Sequence, residues 1–290
     1  MLYGALEAGG TKMVMAVGDE NGQILEQKSI PTTTPEVTMP QIIDYFKGKN
    51  IEALGIGAFG PVDVVKGSDT YGYILNTPKL AWKHYNLVGT LKEALQIPIG
   101  LDTDVNGSCL GEMTYGCAKG LDTVLYLTIG TGIGAGVAVG GKLLHGMMHP
   151  EAGHILITKK PHDPGKSVCP YHDSCMEGLA SGPSIEARWG KKAYELESDH
   201  MAWELESEYI AKGLVNMILM ISPQKIILGG GVMHQEQLFP KIREKVKAYI
   251  NEYYQTKELA DMETYIVPPS LHDNQGIMGA IRLAQLAING

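Results

Sequence analysis

Cysteine is scarce in this chain, with four residues in a length of 290. Two of them, Cys169 and Cys175, lie six positions apart, which leaves only Cys109 and Cys117. So few cysteines do not form the dense disulfide framework of a small secreted domain, and we expect Cys109 and Cys117 to be buried thiols. The scarcity of cysteine therefore favours a cytoplasmic protein.

Basic residues and long apolar runs are also in short supply. The 24 Lys and Arg are outnumbered by 32 Asp and Glu, giving a net charge of −8, and this argues against a nucleic-acid partner. No apolar run approaches the roughly eighteen residues of a membrane-spanning helix. Met1 leads directly into a strand-like run, so we expect neither a signal peptide nor a helix-turn-helix ahead of residue 3. We therefore expect neither a membrane nor a nucleic acid as partner.

Common phosphate-binding motifs are missing too. No G-x-x-x-x-G-K-[ST] sequence occurs, which excludes a P-loop. Residues 130–135 match the loose dinucleotide pattern G-x-G-x-x-A, but a strand-like run follows where that pattern requires a helix. What remains is a Gly/Thr turn between two strands, present at 8–12 and again at 130–134, and a triple glycine at 229–231. A single turn of this kind is ordinary, whereas the repeated pattern favours backbone N–H groups that bind phosphate.

The order of predicted elements indicates two similar α/β domains. Strands are predicted at 2–7, 12–18, 23–29, 51–58, 97–101, 123–129, 135–139, 225–228 and 265–267. Helices are predicted at 40–47, 87–95, 106–115, 183–189, 200–221, 236–254 and 275–287. We expect an N-terminal domain of residues 1–116 with the returning C-terminal helix at 275–290, and a C-terminal domain of residues 117–274.

A candidate metal site lies between the second turn and the later helices. Cys169, His172 and Cys175 have x2 spacing, and His154 lies fifteen residues upstream of Cys169. Two thiolates and two imidazoles can complete a tetrahedral zinc shell. The alternatives are scattered surface residues or a different fourth ligand, since His145, His149 and His162 lie nearby.

Five motifs in this order resemble the ROK family of sugar kinases. They are the Glu-Ala-Gly-Gly-Thr-Lys opening at 7–12, the glycine turn at 130–134, Glu-Ala-Gly-His at 151–154, the Cys-to-Glu segment 169–177 and the glycines at 229–231. The resemblance implies a two-domain actin-like (ribonuclease H-like) ATPase fold with its active site in the interdomain cleft. It also implies ATP- and Mg²⁺-dependent phosphorylation of a hexose at its terminal hydroxyl. The opening and the zinc loop look most like the bacterial fructokinases of the family, so D-fructose is the expected substrate and a structural Zn²⁺ the expected metal.

The resemblance also implies roles for individual residues. The family's catalytic aspartate corresponds to Asp104, although the spacing is equally consistent with a helix N-cap there. Glu7 stands where most relatives have Asp, so its distance to a Mg²⁺ stays open. Nucleotide contacts are implied for Thr11, Lys12, Thr131, Gly132, Pro183, Gly229, Gly230 and Gly231. Sugar contacts are implied for Asn76, Thr103, Asp104, Glu151, His154 and Glu177.

Some alternatives stay open. Glu151 and Glu177 could instead support the zinc ligands, and Asn76 could form an Asx turn before Pro78. The family also includes glucokinases, mannokinases, N-acetylhexosamine kinases and non-catalytic sugar-binding regulators, and a zinc hydrolase would need an open coordination position. We expect a homodimer that binds ATP and a hexose.

Overall fold

A computed structural model describes residues 1–253 and 255–288 and divides the chain into two compact units. The first unit contains residues 1–120, 143–150 and those from Ser270 onward; the second contains residues 121–142 and 151–269. These contact-based units differ from the domains expected from the sequence at residues 117–120, 143–150 and 270–274, which lie in the first unit. The predicted α/β class is confirmed. Among the described residues, no helix is long and apolar enough to cross a membrane.

The first unit is built on a five-stranded mixed sheet in the order β3-β2-β1-β4-β5. Its strands β1 and β2 are antiparallel, as are β2 and β3, whereas β4 runs parallel to both β1 and β5. The elements are β1 (Leu2–Ala8), β2 (Lys12–Asp19), β3 (Ile24–Pro31), α1 (Pro35–Phe46), β4 (Ala53–Ala58), α2 (Leu87–Leu95), β5 (Ile99–Thr103) and α3 (Asp104–Tyr115).

Both faces of this sheet are covered. Successive side chains of a strand point to opposite faces of the sheet. Leu6 and Met15 face a core that includes residues of α1 and α2. Ala5 and Ala16 face the opposite way, into a core with Ile277 and other residues of the closing helix of the chain. The small side chains on that face let the helix lie close to the strands.

Two glycine contacts explain how close this helix lies. A Cβ at Gly55 in β4 would overlap the carbonyl of Ala280, and a Cβ at Gly279 would overlap the carbonyl of Gly107 in α3. Larger residues at Gly55 or Gly279 would push the helix away from the sheet and from α3. The closing helix is therefore held tightly against both β4 and α3.

The second unit repeats the plan of the first. Its elements are β6 (Val124–Ile129), β7 (Ile133–Val139), β8 (Lys142–Leu143), α4 (Met176–Ala180), α5 (Gly182–Trp189), α6 (Ala202–Ile221), β9 (Lys225–Gly229), α7 (Leu238–Ile250), α8 (Lys257–Ala260), α9 (Met262–Tyr265) and β10 (Ile266–Val267); the first unit's closing helix is α10 (Gln275–Ile288). The second sheet has the order β8-β7-β6-β9-β10. Counted within each unit, both sheets read 3-2-1-4-5, so the duplication predicted from the two turns is confirmed in the topology.

Several predicted boundaries are wrong by a few residues. Helix α1 begins at Pro35, and Pro40, which was predicted to start it, lies inside. Helix α3 begins at Asp104 instead of residue 106, and α4 was not predicted. Helix α7 covers Leu238–Ile250 instead of 236–254, and residue 254 lies outside the described residues. Such errors are typical where a proline or several cap-forming residues offer competing start signals.

Candidate functional site

The first glycine turn joins β1 to β2 and is held by its own backbone and by Thr32. The N–H of Gly9 donates to the carbonyls of Glu7 and Lys12, both at 3.1 Å. Thr32 donates its hydroxyl to the Gly9 carbonyl at 2.7 Å and its N–H to the Thr11 carbonyl at 2.9 Å. Thr11 and Lys12 remain exposed at the tip. The turn can therefore present these two side chains to an anion.

Two further charged side chains adjoin this turn. Glu7 is partly buried near the end of β1. Burial raises the pKa of its carboxyl, and the charge of Lys12 opposes that shift. The side chain of Lys79 lies over Gly10, so that a Cβ at Gly10 would come within 2.9 Å of the Lys79 Cε. The sequence reasoning missed Lys79 because almost seventy residues separate it from the turn.

The carboxyl end of β5 leads straight into α3, and Thr103 caps that helix. The Thr103 hydroxyl accepts the N–H of Asn106 at 3.1 Å, whereas Asp104 is the first helical residue. The Oδ1 of Asp104 accepts the adjacent N–H of Val105 at 2.8 Å. The N-cap alternative for Asp104 is therefore wrong, because the cap position belongs to its neighbour.

The buried Asp102, one residue before the cap, pairs with the exposed His145. Its Oδ2 lies 2.8 Å from the Nε2 of His145, and its Oδ1 accepts the Thr103 N–H at 2.8 Å and an Asn106 amide N–H at 2.6 Å. The hydrogen bond with Asp102 raises the pKa of His145, against the opposing effect of burial. His145, one of the histidines considered as an alternative fourth metal ligand, thus fixes the segment 143–150 to the end of β5.

The loop before Trp82 contains the weaker sugar candidate Asn76, which is exposed. Here the hydroxyl of Thr77 accepts the N–H of Lys79 at 3.3 Å, and the Thr77 N–H donates to the Leu75 carbonyl at 3.0 Å. The side chain that stabilises the turn here is therefore the hydroxyl of Thr77. The sugar contact of Asn76 stays a prediction.

Three glycine segments meet in the second unit. The N–H of Gly130 donates to the Gly132 carbonyl at 2.9 Å, and that of Gly182 donates to the Gly130 carbonyl at 2.7 Å. A Cβ at Gly130 would lie 3.7 Å from the backbone nitrogen of Gly231. The three segments of this unit that are predicted to bind nucleotide thus lie side by side.

Two side chains of these segments are exposed, and one position requires glycine. Thr131 and Pro183 are exposed, and Pro183 lies in the first turn of α5. Gly229 ends β9, and Gly230 has a φ of +89°, with the backbone of Ile129 where a Cβ would be. A residue with a side chain at Gly230 would be both strained and overlapping.

The four predicted metal ligands come together in the second unit. The donor atoms of His154, Cys169, His172 and Cys175 all lie within 4.8 Å of one another. The Nδ1 of His154 is 3.8 Å from each sulfur, and the Nδ1 of His172 is 3.5 Å from the Cys169 sulfur. Zinc bonds of about 2.3 Å to sulfur and about 2.0 Å to nitrogen would separate such atoms by about 3.6 Å in a tetrahedron. The cluster therefore fits a zinc ion in size and chemistry.

Backbone contacts hold the ends of the segment 153–177, which contains the four clustered residues and is called the metal loop below. Ile157 donates its N–H to the Ser174 carbonyl at 2.9 Å, and Met176 donates to the Ile155 carbonyl at 3.0 Å. The Cys175 sulfur accepts the Gly178 N–H at 3.3 Å and so caps α4. Cys175 thus both caps α4 and belongs to the cluster.

The predicted sugar-binding residues of this unit flank the cluster. Glu151 is exposed, and its carbonyl accepts the His154 N–H at 3.0 Å. The His154 Nε2, on the far side of the ring from the cluster, lies 3.9 Å from the Glu177 Oε1. The other oxygen of Glu177 accepts the Ile133 N–H at 2.9 Å, a contact that the sequence did not suggest.

A buried ionic network anchors the metal loop at Asp163. No sequence pattern indicated this network. Asp163 binds Arg188 through two contacts of 2.8 and 3.2 Å and accepts the Tyr209 hydroxyl at 2.6 Å. Burial acts to raise the pKa of Asp163, but the hydrogen bonds from Tyr209 and Gly165 and the Arg188 cation together lower it. The network joins the loop to α5 and α6.

Comparison with known proteins places this arrangement in a family. The model of the ROK family matches residues 3–287. A Bacillus subtilis (strain 168) protein named "Putative fructokinase" is 52% identical, over 99% of this chain and 96% of its own length. A protein from Pediococcus pentosaceus named "Fructokinase" is 47% identical over 99% of each chain.

A solved structure agrees. The ROK hexokinase from Thermus thermophilus superposes with a TM-score of 0.82 at 26% identity, covering 100% of this chain and 99% of that one. The fold is therefore the actin-like ATPase fold expected from the sequence. The two duplicated sheets, the ordered motifs and these matches agree, and the chain belongs to the ROK family.

Proposed function

We propose that this protein is a fructokinase that transfers the γ-phosphoryl group of ATP to the 6-hydroxyl of D-fructose. The observation that carries the proposal is the identity of 47% with a fructokinase over nearly the whole of both chains. Four relatives carry the plain name fructokinase at identities of 41–47%, whereas three glucokinases are 26% identical. Fructose is therefore favoured over glucose or mannose, and over N-acetylhexosamines.

Asp104 is the proposed catalytic residue. Its carboxylate would accept the proton of the fructose 6-hydroxyl while the oxygen attacks the γ-phosphorus and the bond to the bridging oxygen breaks, releasing ADP. Its position at the first residue of α3, directly after a strand end, suits this role because rigid elements flank it on both sides. Thr103, which caps the helix, holds Asp104 in place and remains a proposed sugar contact.

Both glycine turns are proposed to position the phosphates of ATP. Thr11 and Lys12 in the first unit and Thr131 and Gly132 in the second are proposed to contact the phosphates, with Pro183 and the glycines 229–231 near the nucleoside. A bound Mg²⁺ would neutralise charge on the β- and γ-phosphates. Glu7 offers the carboxylate oxygens that Mg²⁺ prefers and is proposed to hold it, directly or through water.

The cluster of His154, Cys169, His172 and Cys175 is proposed to hold a structural zinc. Four nitrogen and sulfur ligands complete a tetrahedral shell and leave no open position for a hydrolytic water, which disfavours a zinc hydrolase. The zinc would hold the loop that carries the proposed sugar ligands Glu151, His154 and Glu177. Carboxylates suit this role because they accept hydrogen bonds from vicinal hydroxyls. A homodimer and a cytoplasmic location, like the sugar contact of Asn76, stay predictions.

A substrate screen tests the proposal. Purified protein is assayed for ATP consumption with fructose, glucose, mannose, N-acetylglucosamine and N-acetylmannosamine, each over a range of concentrations. We expect the highest kcat/KM for fructose. A higher value for another sugar would overturn the fructose assignment and keep the kinase, whereas no sugar-dependent turnover, with binding of sugar intact, would favour a regulator.

A further inference from the structure

Glu177 connects the metal cluster to the second glycine turn. It is the second residue of α4, two positions after the ligand Cys175 that caps this helix. Its Oε1 lies 3.9 Å from the ring of the ligand His154, whereas its Oε2 accepts the N–H of Ile133 at 2.9 Å. One carboxylate therefore faces the cluster with one oxygen and the turn with the other.

The turn is fitted closely to this carboxylate. Ile133 is the residue at which the turn enters β7, where it pairs with Ile129 of β6. A Cβ at Gly132 would lie 2.7 Å from the Glu177 Oε2. A side chain at Gly132 would thus displace Glu177 or the turn.

A second residue of the metal loop reaches the same point. Gly153, next to the ligand His154, packs so closely on the carbonyl of Ile133 that a Cβ there would overlap it. Both backbone polar groups of Ile133 thus contact residues within two positions of a proposed metal ligand: its N–H contacts Glu177 and its carbonyl contacts Gly153. The conformation of the turn is therefore tied to that of the loop.

We propose that Glu177 is a positioning residue for the phosphate turn, which it holds in the conformation that binds ATP. This inference rests on the proposed function, because it takes the 130–134 turn as a phosphate site. It gives Glu177 a role besides the sugar contact that the family resemblance implies. Hydrogen bonds between a carboxylate and a backbone N–H are among the stronger ones in proteins, so loss of this one loosens the turn.

Three variants separate the two roles. Glu177→Ala removes the acceptor, and Glu177→Gln retains an oxygen that can accept the Ile133 N–H. Glu186→Ala changes an exposed glutamate on the adjacent helix α5 and serves as the matched control. Each protein is titrated calorimetrically with a non-hydrolysable ATP analogue in the absence of sugar, and separately with fructose in the absence of nucleotide.

We expect Glu177→Ala to weaken nucleotide binding about 10-fold, a loss typical of one hydrogen bond to a charged group. Glu177→Gln should stay within about 3-fold of the parent protein, and Glu186→Ala should be unchanged. If Glu177→Ala weakens only fructose binding, Glu177 is a sugar ligand alone and the proposal is overturned.

Hydrogen–deuterium exchange of the peptide containing Ile133 gives a readout that needs no ligand. Glu177→Ala should speed exchange there, Glu177→Gln should restore slow exchange, and Glu186→Ala should have no effect. Unchanged exchange in Glu177→Ala overturns the proposal. If exchange changes but the parent protein binds no ATP analogue, Glu177 still holds the turn and the proposed function fails instead.

Discussion

The hydroxyl of Thr103 accepts the N–H of Asn106 at 3.1 Å and caps α3, whereas its neighbour Asp104 corresponds to the family's catalytic aspartate. The capping role, which spacing alone could not assign, therefore belongs to Thr103, and the proposed role of Asp104 as base is separate from it. Thr103 fixes the start of the helix, and Asp104 follows as its first residue. This arrangement makes the proposed base testable without loss of the helix cap.

Asp104→Asn should lower kcat about 10²-fold or more, because an amide cannot accept the hydroxyl proton. Nucleotide binding should change little, since the substitution preserves the shape of the side chain. Steady-state kinetics and calorimetry measure the two effects, with the exposed Asp44→Asn as control. Near-normal turnover of Asp104→Asn would remove this residue from the mechanism.

Cys175→Ser should abolish stoichiometric zinc while preserving the cap of α4, because a serine hydroxyl can accept the Gly178 N–H as the sulfur does. Loss of the metal frees His154 and the loop, so fructose binding should weaken. Elemental analysis and binding titrations report both effects, and Cys117→Ser is the control outside the cluster. A zinc-free Cys175→Ser protein with unchanged sugar and nucleotide affinity would contradict a structural metal, as would parent protein without zinc.

Asp163→Asn should destabilise the protein by about 3–5 kcal/mol, the cost of removing one partner from a buried ion pair. Arg188 would remain buried without its counter-charge, since its side chain is only 2% exposed. Because the folded-state pKa of Asp163 is lowered, its contribution is present above the ordinary value of 3.8 and is lost as the pH falls through the folded-state value. Denaturant unfolding at pH 7 measures the loss; Asp199→Asn, at an exposed position, should have little effect. A loss near zero for Asp163→Asn would contradict this role.

Glu206→Gln should make thermal stability less sensitive to pH. Burial raises the pKa of Glu206 well above its ordinary value of 4.5, an effect that Arg188 opposes. The folded state therefore holds this proton more tightly than the unfolded chain does, and stability falls as the pH rises from 4.5 through the folded-state pKa. The Tm of Glu206→Gln, relative to the parent, should thus increase with pH across this range. Parallel Tm curves would show that Glu206 does not titrate as its burial requires.

Local signals predicted much of the fold. Strand, glycine turn and strand follow one another directly in the chain, so both duplicated hairpins and the triple glycine that begins at the end of β9 could be recognised from short patterns. The proposed metal ligands were also identifiable, because three of them fall within seven residues.

Contacts between distant residues were not predictable in this way. Asp163, Arg188 and Tyr209 lie on a loop and two helices, and nothing in their spacing indicates that they meet. The bond from Ile133 to Glu177 spans 44 residues and uses a backbone N–H, which carries no sequence signal. Such contacts depend on how the loop packs against the hairpin, which a pattern of residues does not specify.

The most direct test follows the phosphoryl group itself. Protein, Mg²⁺, ATP and fructose are incubated together, and the product is identified by ³¹P nuclear magnetic resonance, with Asp104→Asn as the paired sample. We predict one ADP and one fructose 6-phosphate per ATP consumed, with a rate about 10²-fold lower in the variant. A product phosphorylated at another oxygen, or ATP consumption independent of fructose, would contradict the account.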